Sequence, residues 1–494
     1  MRWSKKCNFF PIERLELFNY LSPDKIVIST EKSQISYSNF YNACIFLGRK
    51  IKNSKKVIIL DDEKDKAVLG IFSCLMFGIT YIPVSHDIPL KRILYIIKKT
   101  NPDTLLVTKK LSKYFKLPIN KKVIIDEKYY KIKIKFKKYV KNFPLQNIAY
   151  IIFTSGSTGE PKGVKISREA LNNFTKYLCR LFSDNQCKNF SLFAPLGFDL
   201  SVAEIFGAIC TGSKLIPVEN EYFKSFPSEF IYKKKITHVI LVPSCISIIQ
   251  QLGTNVNKKF LKNVKHFVFC GEVLKKIHIE YLFKCKKNLR VTNTYGPTEA
   301  TVFCTAIDLY KNNYNQFSKK DVCIGNEISG MKIKIVKDRN YKNNFGQVLI
   351  SGPQVSSGYF LNKKLNQEKF RNYYNTFVSG DIVEKIDNNL YFLQRNDNQI
   401  KRWGNRIELD EISRVIEKYL KESTQCETIF YNGDLYSFIL NVNNIKINNN
   451  KILQEIKKNI PKYMLPKKII GMKYLPLNSN GKIDKKKLIE YIND

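Results

Sequence analysis

An α/β fold with largely parallel sheets is the architecture this sequence predicts, and three observations carry the prediction. Short apolar, β-branched runs recur along the chain: KVIIL from Lys56, TLLVT from Thr104, AYIIFT from Ala149, THVILV from Thr237 and HFVFCG from His266. Stretches of helical period alternate with them, among them Phe40 to Ile51 and Glu169 to Phe182, and continuously apolar strands separated by helices are the pattern of a sheet covered on both faces. The 494 residues also exceed one core, given ~100–200 residues per domain.

Near Arg395 the texture changes. Beyond it lie NQIKRWGNRIELDEISRVIEKYL, a helix, two short strands and a final Lys-rich helix, material for a small α+β domain. The expected division is a large domain over 1–395, a hinge over 396–398 and a small domain over 399–494. Basic stretches of low information near Lys109 to Lys141 and Lys311 to Lys320 are expected to be solvated connectors. Ala67 to Val84 carries no charge and reaches the minimum length of a membrane span, yet Gly70, Ser73, Gly78, Thr80 and Pro83 interrupt it. The expectation there is a buried helix running into a strand, with no stable membrane insertion. The first residues, MRWSKKCNFFPIERLELF, contain no continuous apolar run of the secretory kind.

Composition bounds the function. Hydrophobic residues at 44% and charged residues at 26% are ordinary for a globular chain, which excludes wholesale disorder. Lys plus Arg number 83 against 43 Asp plus Glu, a net charge of +40. The excess Lys travels with Asn, Ile, Tyr and Phe, as in NVNNIKINNNK, and is spread over the whole chain. That is the mark of drift toward A/T-rich codons, and no specific nucleic-acid partner is expected; a polyanion-binding surface is the other reading. Twelve Cys form no C-x-x-C pair and the four His do not join them at metal-ligand spacing, so no zinc site is expected. Scattered single Cys suit a reducing compartment, and a cytoplasmic location is expected.

The strongest local signal is YIIFTSGSTGEPKGVKIS. A strand ending at Thr154 opens into a loop holding Gly156, Gly159 and Gly163, the hydroxyls of Thr154, Ser155, Ser157 and Thr158, and Lys162. Glycines let backbone N–H groups converge on an oxyanion, hydroxyls add donors and Lys162 adds a point charge, so the loop is built to hold phosphate. The Walker spacing G-x-x-x-x-G-K-[ST] is absent.

Thr154 to Gly163 resembles the phosphate-loop signature of the adenylate-forming enzymes, the superfamily of acyl-CoA synthetases, luciferases and adenylation domains of non-ribosomal peptide synthetases. Four further motifs follow in that superfamily's order. NTYGPTEATV from Asn293 resembles its nucleotide and metal motif, which implies contacts from Asn293, Thr294, Tyr295, Gly296 and Thr298, with Tyr295 against adenine and Glu299 holding Mg²⁺. SGD at Ser379 to Asp381 stands where T-G-D is usual, and Asp381 would bind the ribose hydroxyls. QRNDNQIKRWGNRIELDEI from Gln394 resembles the hinge motif, with Arg395 near the ribose, Asp397 as hinge, and Lys401 and Gly404 entering for the second half-reaction. Gln394 replaces the usual Gly. NSNGKIDKKKL from Asn478 resembles the C-terminal motif of the mobile small domain, making Lys482 the catalytic lysine alongside Glu299 and Thr154. Gly271 and Glu272 of FCGEVL complete the implied nucleotide contacts. The resemblance thus implies ATP and Mg²⁺, and a carboxylate converted to an acyl-adenylate while fixed cations and backbone donors stabilise the charge on the phosphate oxygens.

FDLSVAEIFGAICTG from Phe198 resembles the segment of the amino-acid-activating branch, in which Asp199 would pair with a substrate ammonium. A buried carboxylate demands a cation, which is the physical reason for an Asp in an otherwise apolar wall; an Asp capping the following helix is the alternative. The remaining implied pocket residues are Phe198, Leu200, Ala203, Ile240, Val268, Cys270, Thr294, Val302 and Phe303, and they imply a small or apolar side chain. FCGEVL and NTYGPTEATV most resemble the ligases that load D-alanine onto carrier proteins, whereas Ala203 leaves room for a bulkier guest. The sequence ends shortly after the lysine motif, so a phosphopantetheine-bearing carrier protein is expected in trans. An acyl- or aryl-CoA ligase of the same superfamily is the second reading, and a non-catalytic polyanion binder on this scaffold the third.

Overall fold

The computed structural model describes residues 9–114, 117–133, 146–156, 159–183, 188–251, 259–336, 344–371, 375–387, 389–420, 425–440, 448–477 and 483–493. They fall into two compact units: Met1–His86, Thr100–Ile152 and Gly163–Gln394 form the first, and Asp87–Lys99, Phe153–Lys162 and Arg395–Asp494 the second.

Two parallel sheets dominate the first unit. In one, the neighbours Arg290–Tyr295, His266–Phe269, His238–Leu241, Asn189–Leu192, Lys214–Pro217 and Ile26–Ser29 all run parallel, with antiparallel strands at both edges. In the other, Lys121–Ile125, Thr104–Thr108, Lys56–Asp61, Thr80–Ser85 and Ile148–Thr154 run parallel and Lys162–Ser167 closes the edge. Thr80–Ser85 and Thr104–Thr108 are buried along their whole length, which is why their sequences do not alternate. Helices cover the faces: Ser36 caps Tyr37–Ile51 and Ser167 caps Arg168–Leu181, each accepting an N–H three residues on. The uncharged stretch is a buried helix, Lys64–Met76, leading into Thr80–Ser85. Among the described residues no helix is long and apolar enough to cross a membrane.

The two supposed connectors need correction. Lys109–Tyr114 is helical, Lys121–Ile125 is the edge strand of the second sheet, and Tyr129 and Tyr130 are buried in a short 3₁₀ turn. An edge strand needs only one buried face, so its lysines point outward and mask the pattern. Within the other stretch, Tyr314–Phe317 forms a 3₁₀ turn with Tyr314 buried. A third, antiparallel sheet of Lys332–Val336, Phe345–Ser351, Thr376–Ile386, Phe370–Arg371 and Asn389–Arg395 places Asp381 on a central strand.

In the second unit, Gln399–Arg402 and Asn405–Glu408 form a hairpin whose two-residue turn, Trp403-Gly404, has φ of +50° and +74°. Such a turn needs positive φ at both positions, free of strain for Gly404. Helix Leu409–Leu420 follows, then a sheet of Cys426–Tyr431, Asp434–Leu440 and Lys468–Met472, with helices Asn449–Ile456 and Lys485–Asn493. Ile407, Ile412, Ile416, Leu435, Ile456 and Met464 form its core.

Candidate active site

In the first unit the nucleotide-motif residues stand at the end of Arg290–Tyr295, a strand buried from Val291 onward. The Thr294 hydroxyl donates to the Phe269 carbonyl at 2.7 Å and the Asn293 amide donates to Cys323 at 2.8 Å, which locks the strand end to its neighbours. Asn293 Oδ1, buried, has no hydrogen-bond partner among the described residues. Tyr295 donates its hydroxyl to Asp381 Oδ2. Burial, then the Asp381 charge, pushes the Tyr295 phenol well above its ordinary value, so it remains a donor. Asp381 is held in turn through Ser379, whose hydroxyl accepts the Asp381 N–H at 3.0 Å and donates to Val348 at 2.8 Å. The serine that departs from the family pattern therefore performs a backbone-fixing task.

Glu299 is fully buried, and the Tyr359 hydroxyl donates to its Oε1 at 2.6 Å. A single carboxylate suits Mg²⁺, which takes most of its remaining ligands from water and phosphate. Gly296 is crowded by the Phe303 backbone, so no side chain fits there. Beyond Glu299 the chain is strained: Thr301 and Val302 have φ of +57° and +73°, the latter rare for a β-branched residue. The Thr301 hydroxyl bonds to the Gln354 carbonyl at 2.7 Å, and Cys270 Sγ lies 3.8 Å from the Val302 carbonyl. Thr298 is half-buried beside Glu299, while Gly271, at φ +96°, and Glu272 sit where the strand His266–Phe269 ends, Glu272 accepting the Ser244 N–H at 2.9 Å.

Ala203, Ile240, Val268, Cys270, Val302 and Phe303 belong to one buried cluster, against which Leu200 packs. Phe303 also meets Phe174 and Tyr177 edge-on, at 4.9 and 6.0 Å between centroids. Asp199 and Phe198 are half-buried at the start of helix Leu200–Ile209. Asp199 occupies the capping position yet makes no capping hydrogen bond, so the helix-cap alternative does not account for it.

The second unit holds the phosphate-loop residues it describes. Thr154 Oγ1 is buried without a partner among the described residues, and Ser155 donates to the Arg406 carbonyl at 2.7 Å. The Gly156 N–H points at Glu411 Oε2, 3.3 Å away, and the loop closes on itself from Gly159 N–H to the Gly156 carbonyl at 2.9 Å. A side chain at Gly156 would strike the Glu160 carbonyl. Lys162 pairs with Glu408 at 3.1 Å, both side chains buried, and Gln399 donates to the same Glu408 oxygen. Arg92 pairs with Glu411 at 2.9 Å. Burial raises the Glu411 carboxyl above its ordinary value and Arg92 draws it back down. Arg395 grips Asp397 with two bonds of 2.7 and 2.9 Å. Lys401 is exposed on the hairpin that Gly404 turns. Ser157, Thr158 and Lys482 lie outside the described residues.

Sequence reasoning missed Arg92, Glu408 and Glu411. The two glutamates are printed in the IELDEI stretch, but nothing in their spacing reveals that they meet a loop some 250 positions earlier. Tyr359, the partner of Glu299, was equally invisible.

Fold and site together define an enzyme of the adenylate-forming class. The AMP-binding enzyme family model matches residues 16–360, and the chain belongs to that family. Its full-length relatives include the D-alanine–D-alanyl carrier protein ligases of Staphylococcus epidermidis and Staphylococcus aureus, each 30% identical over 98% of this chain and 99% of the relative. The fold is shared with the Vibrio cholerae adenylation domain AlmE in complex with glycyl-adenosine-5'-phosphate, at a TM-score of 0.83 and 22% identity over 100% of this chain and 99% of that one. It is shared too with the amide bond synthetase McbA from Marinactinospora thermotolerans, at 0.82 and 14% over 97% and 99%.

Proposed function

We propose that this chain is an AMP-forming ligase that activates an amino acid with ATP and passes it to the phosphopantetheine thiol of a separate carrier protein. The amino acid is D-alanine or another small or apolar one. The observation that carries the reading is Asp199, a half-buried carboxylate at the start of helix Leu200–Ile209, whose following residues Leu200 and Ala203 join the apolar cluster of Ile240, Val268 and Val302. A carboxylate in such a wall is stabilised by an ammonium. The likeness to the D-alanine–D-alanyl carrier protein ligases supports the same class of substrate and partner.

The residues then divide the work. Asp199 orients the ammonium, and the apolar cluster selects the side chain. Tyr295 and Asp381 hold adenine and ribose, with Asn293, Thr294, Gly296, Thr298, Gly271 and Glu272 shaping their surroundings. The loop Thr154–Lys162 and Lys482 supply donors and positive charge to the phosphates as the carboxylate oxygen attacks the α-phosphorus and pyrophosphate leaves. Glu299 would hold Mg²⁺, which neutralises charge on the phosphate oxygens. We further propose a domain boundary at 396–398, with Asp397 as hinge and Lys401 and Gly404 serving the thiol-transfer step. We place the chain in the cytoplasm, since its scattered single Cys residues suit a reducing compartment.

Amino-acid-dependent exchange of labelled pyrophosphate into ATP tests the reading, screened over the common L-amino acids, D-alanine, glycine and several aryl and fatty acids. One responding amino acid is the expected result. Exchange driven only by an aryl or fatty acid would move the enzyme to the acyl-CoA side.

A further inference from the structure

Glu204 is a fully buried carboxylate for which the proposed chemistry has no use. It lies in the helix Leu200–Ile209, on the turn after Asp199. Its two oxygens take two consecutive backbone donors: Phe193 N–H at 2.7 Å on Oε1 and Ala194 N–H at 2.9 Å on Oε2, with the Ser191 hydroxyl 3.3 Å from Oε1. Lys64, at the start of another helix, donates to the carbonyls of Leu192 and Phe193, both at 2.9 Å. Lys64 is also the leading charge that stabilises the ionised Glu204 against its burial.

Residues 192–194 leave the sheet where the strand Asn189–Leu192 ends, and from there the chain runs through Phe198 to Asp199. The ladder stops at Leu192, whose carbonyl still accepts the Val218 N–H at 3.1 Å, and beyond it the charged groups secure the backbone: Glu204 takes the Phe193 and Ala194 N–H groups while Lys64 takes the Leu192 and Phe193 carbonyls. Because Glu204 belongs to the helix that Asp199 begins, its bonds close a ring from Phe193 to Glu204. Asp199 sits at the bend of that ring, with Phe198 N–H bonded to Pro195 at 3.0 Å and Ser201 Oγ donating to Phe198 at 2.6 Å. Only a carboxylate offers two acceptor oxygens to adjacent N–H groups; a carboxamide would turn its own N–H against one of them.

We propose that Glu204, tied to Lys64, is a positioning residue that sets the Asp199 carboxylate for the ammonium of the amino acid and so determines amino-acid affinity without touching substrate. The inference rests on the amino-acid reading of the site. It predicts that Glu204→Gln raises KM for the responding amino acid by about 10- to 100-fold, the worth of a hydrogen bond to a charged group, and leaves KM for ATP within about twofold. Inhibition by the same acid lacking its amino group should not change, since that analogue makes no use of Asp199. Adding Glu204→Gln to Asp199→Asn should produce no further rise, because both act through one contact. Lys64→Met should repeat the pattern more weakly.

Amide hydrogen exchange provides a readout that does not depend on turnover. Faster exchange at Phe193 and Ala194 in Glu204→Gln, accompanied by the KM shift, is the expected result. Faster exchange with an unchanged KM for the amino acid, or equal loss of affinity for amino acid, ATP and the deaminated analogue, overturns the proposal while leaving the amino-acid reading in place. A wild-type enzyme that exchanges pyrophosphate only with acids lacking an amino group overturns both.

Discussion

The candidate site residues of the two units are held in opposite ways. In the first unit Tyr295, Asp381, Glu299 and the apolar wall are buried and braced by neighbours such as Ser379, Tyr359 and Phe269. Their geometry is set by the fold that surrounds them. In the second unit the charges pair with one another: Lys162 with Glu408, Arg92 with Glu411, Arg395 with Asp397. There, the loop that resembles a phosphate cradle already has carboxylates on its lysine and on the Gly156 N–H. Recognition by a preformed surface loses affinity when a residue is removed. Recognition by exchange of partners alters the free protein as much as the complex.

Asp199→Ala tests the preformed side and carries the largest effect. Loss of the carboxylate should raise KM for the amino acid about 100-fold or more, the scale of breaking a desolvated charge pair, with ATP binding unchanged in isothermal titration. A variant that activates the amino acid normally would remove Asp199 from the site.

Glu408→Gln tests the exchanging side. It removes the carboxylate charge that faces the buried Lys162, so the nucleotide-free protein should lose about 3 kcal/mol, read as a lower Tm. ATP with Mg²⁺ should then raise Tm by more than it does in the wild type, since phosphate replaces the missing carboxylate. An equal ligand-induced shift in both proteins would mean that Lys162 does not change partners.

The smallest effect concerns Glu204, whose carboxyl burial pushes from 4.5 up to about 7, against the pull of Lys64, the Phe193 and Ala194 N–H groups and Ser191. The Glu204 charge in turn helps to raise the Cys245 thiol. A raised carboxyl pKa means that the folded protein keeps a proton the unfolded chain gives up, so between about pH 4.5 and 7 this group makes stability fall as pH rises. Glu204→Gln lacks the titration. The Tm difference between variant and wild type should therefore shift in favour of the variant across that window, by about 1–3 °C; a shift the other way would place the carboxyl below its ordinary range.

Legibility differed between the same two regions. Asp199, Tyr295 and Glu299 could be proposed from local strings because the strand ends and turns that carry them are encoded by a few residues. The apolar wall was legible only by alignment to motifs, yet six of its members do join one buried cluster. Edge strand Lys121–Ile125 and the antiparallel sheet carrying Asp381 were not legible: outward lysines hid the first, and strands of the second such as Lys332–Val336 and Phe345–Ser351 alternate between covered and open positions instead of forming apolar runs. The glutamates on the phosphate loop were unreadable because a charge at a strand end, Glu408, or in a helix's first turn, Glu411, has no spacing that announces a partner some 250 positions away.

What the sequence determined by itself is the alternation of buried strands with amphipathic helices, and the glycine and hydroxyl chemistry of the turns, because both follow from neighbours within a few residues. Tertiary structure alone decided which charges meet: Glu204 with the backbone after Leu192, Glu408 with Lys162, Ser379 beneath Asp381. Burial is the physical reason. A charged or polar group inside a protein must find its partner wherever the chain brings one, and that encounter is a property of the packed fold.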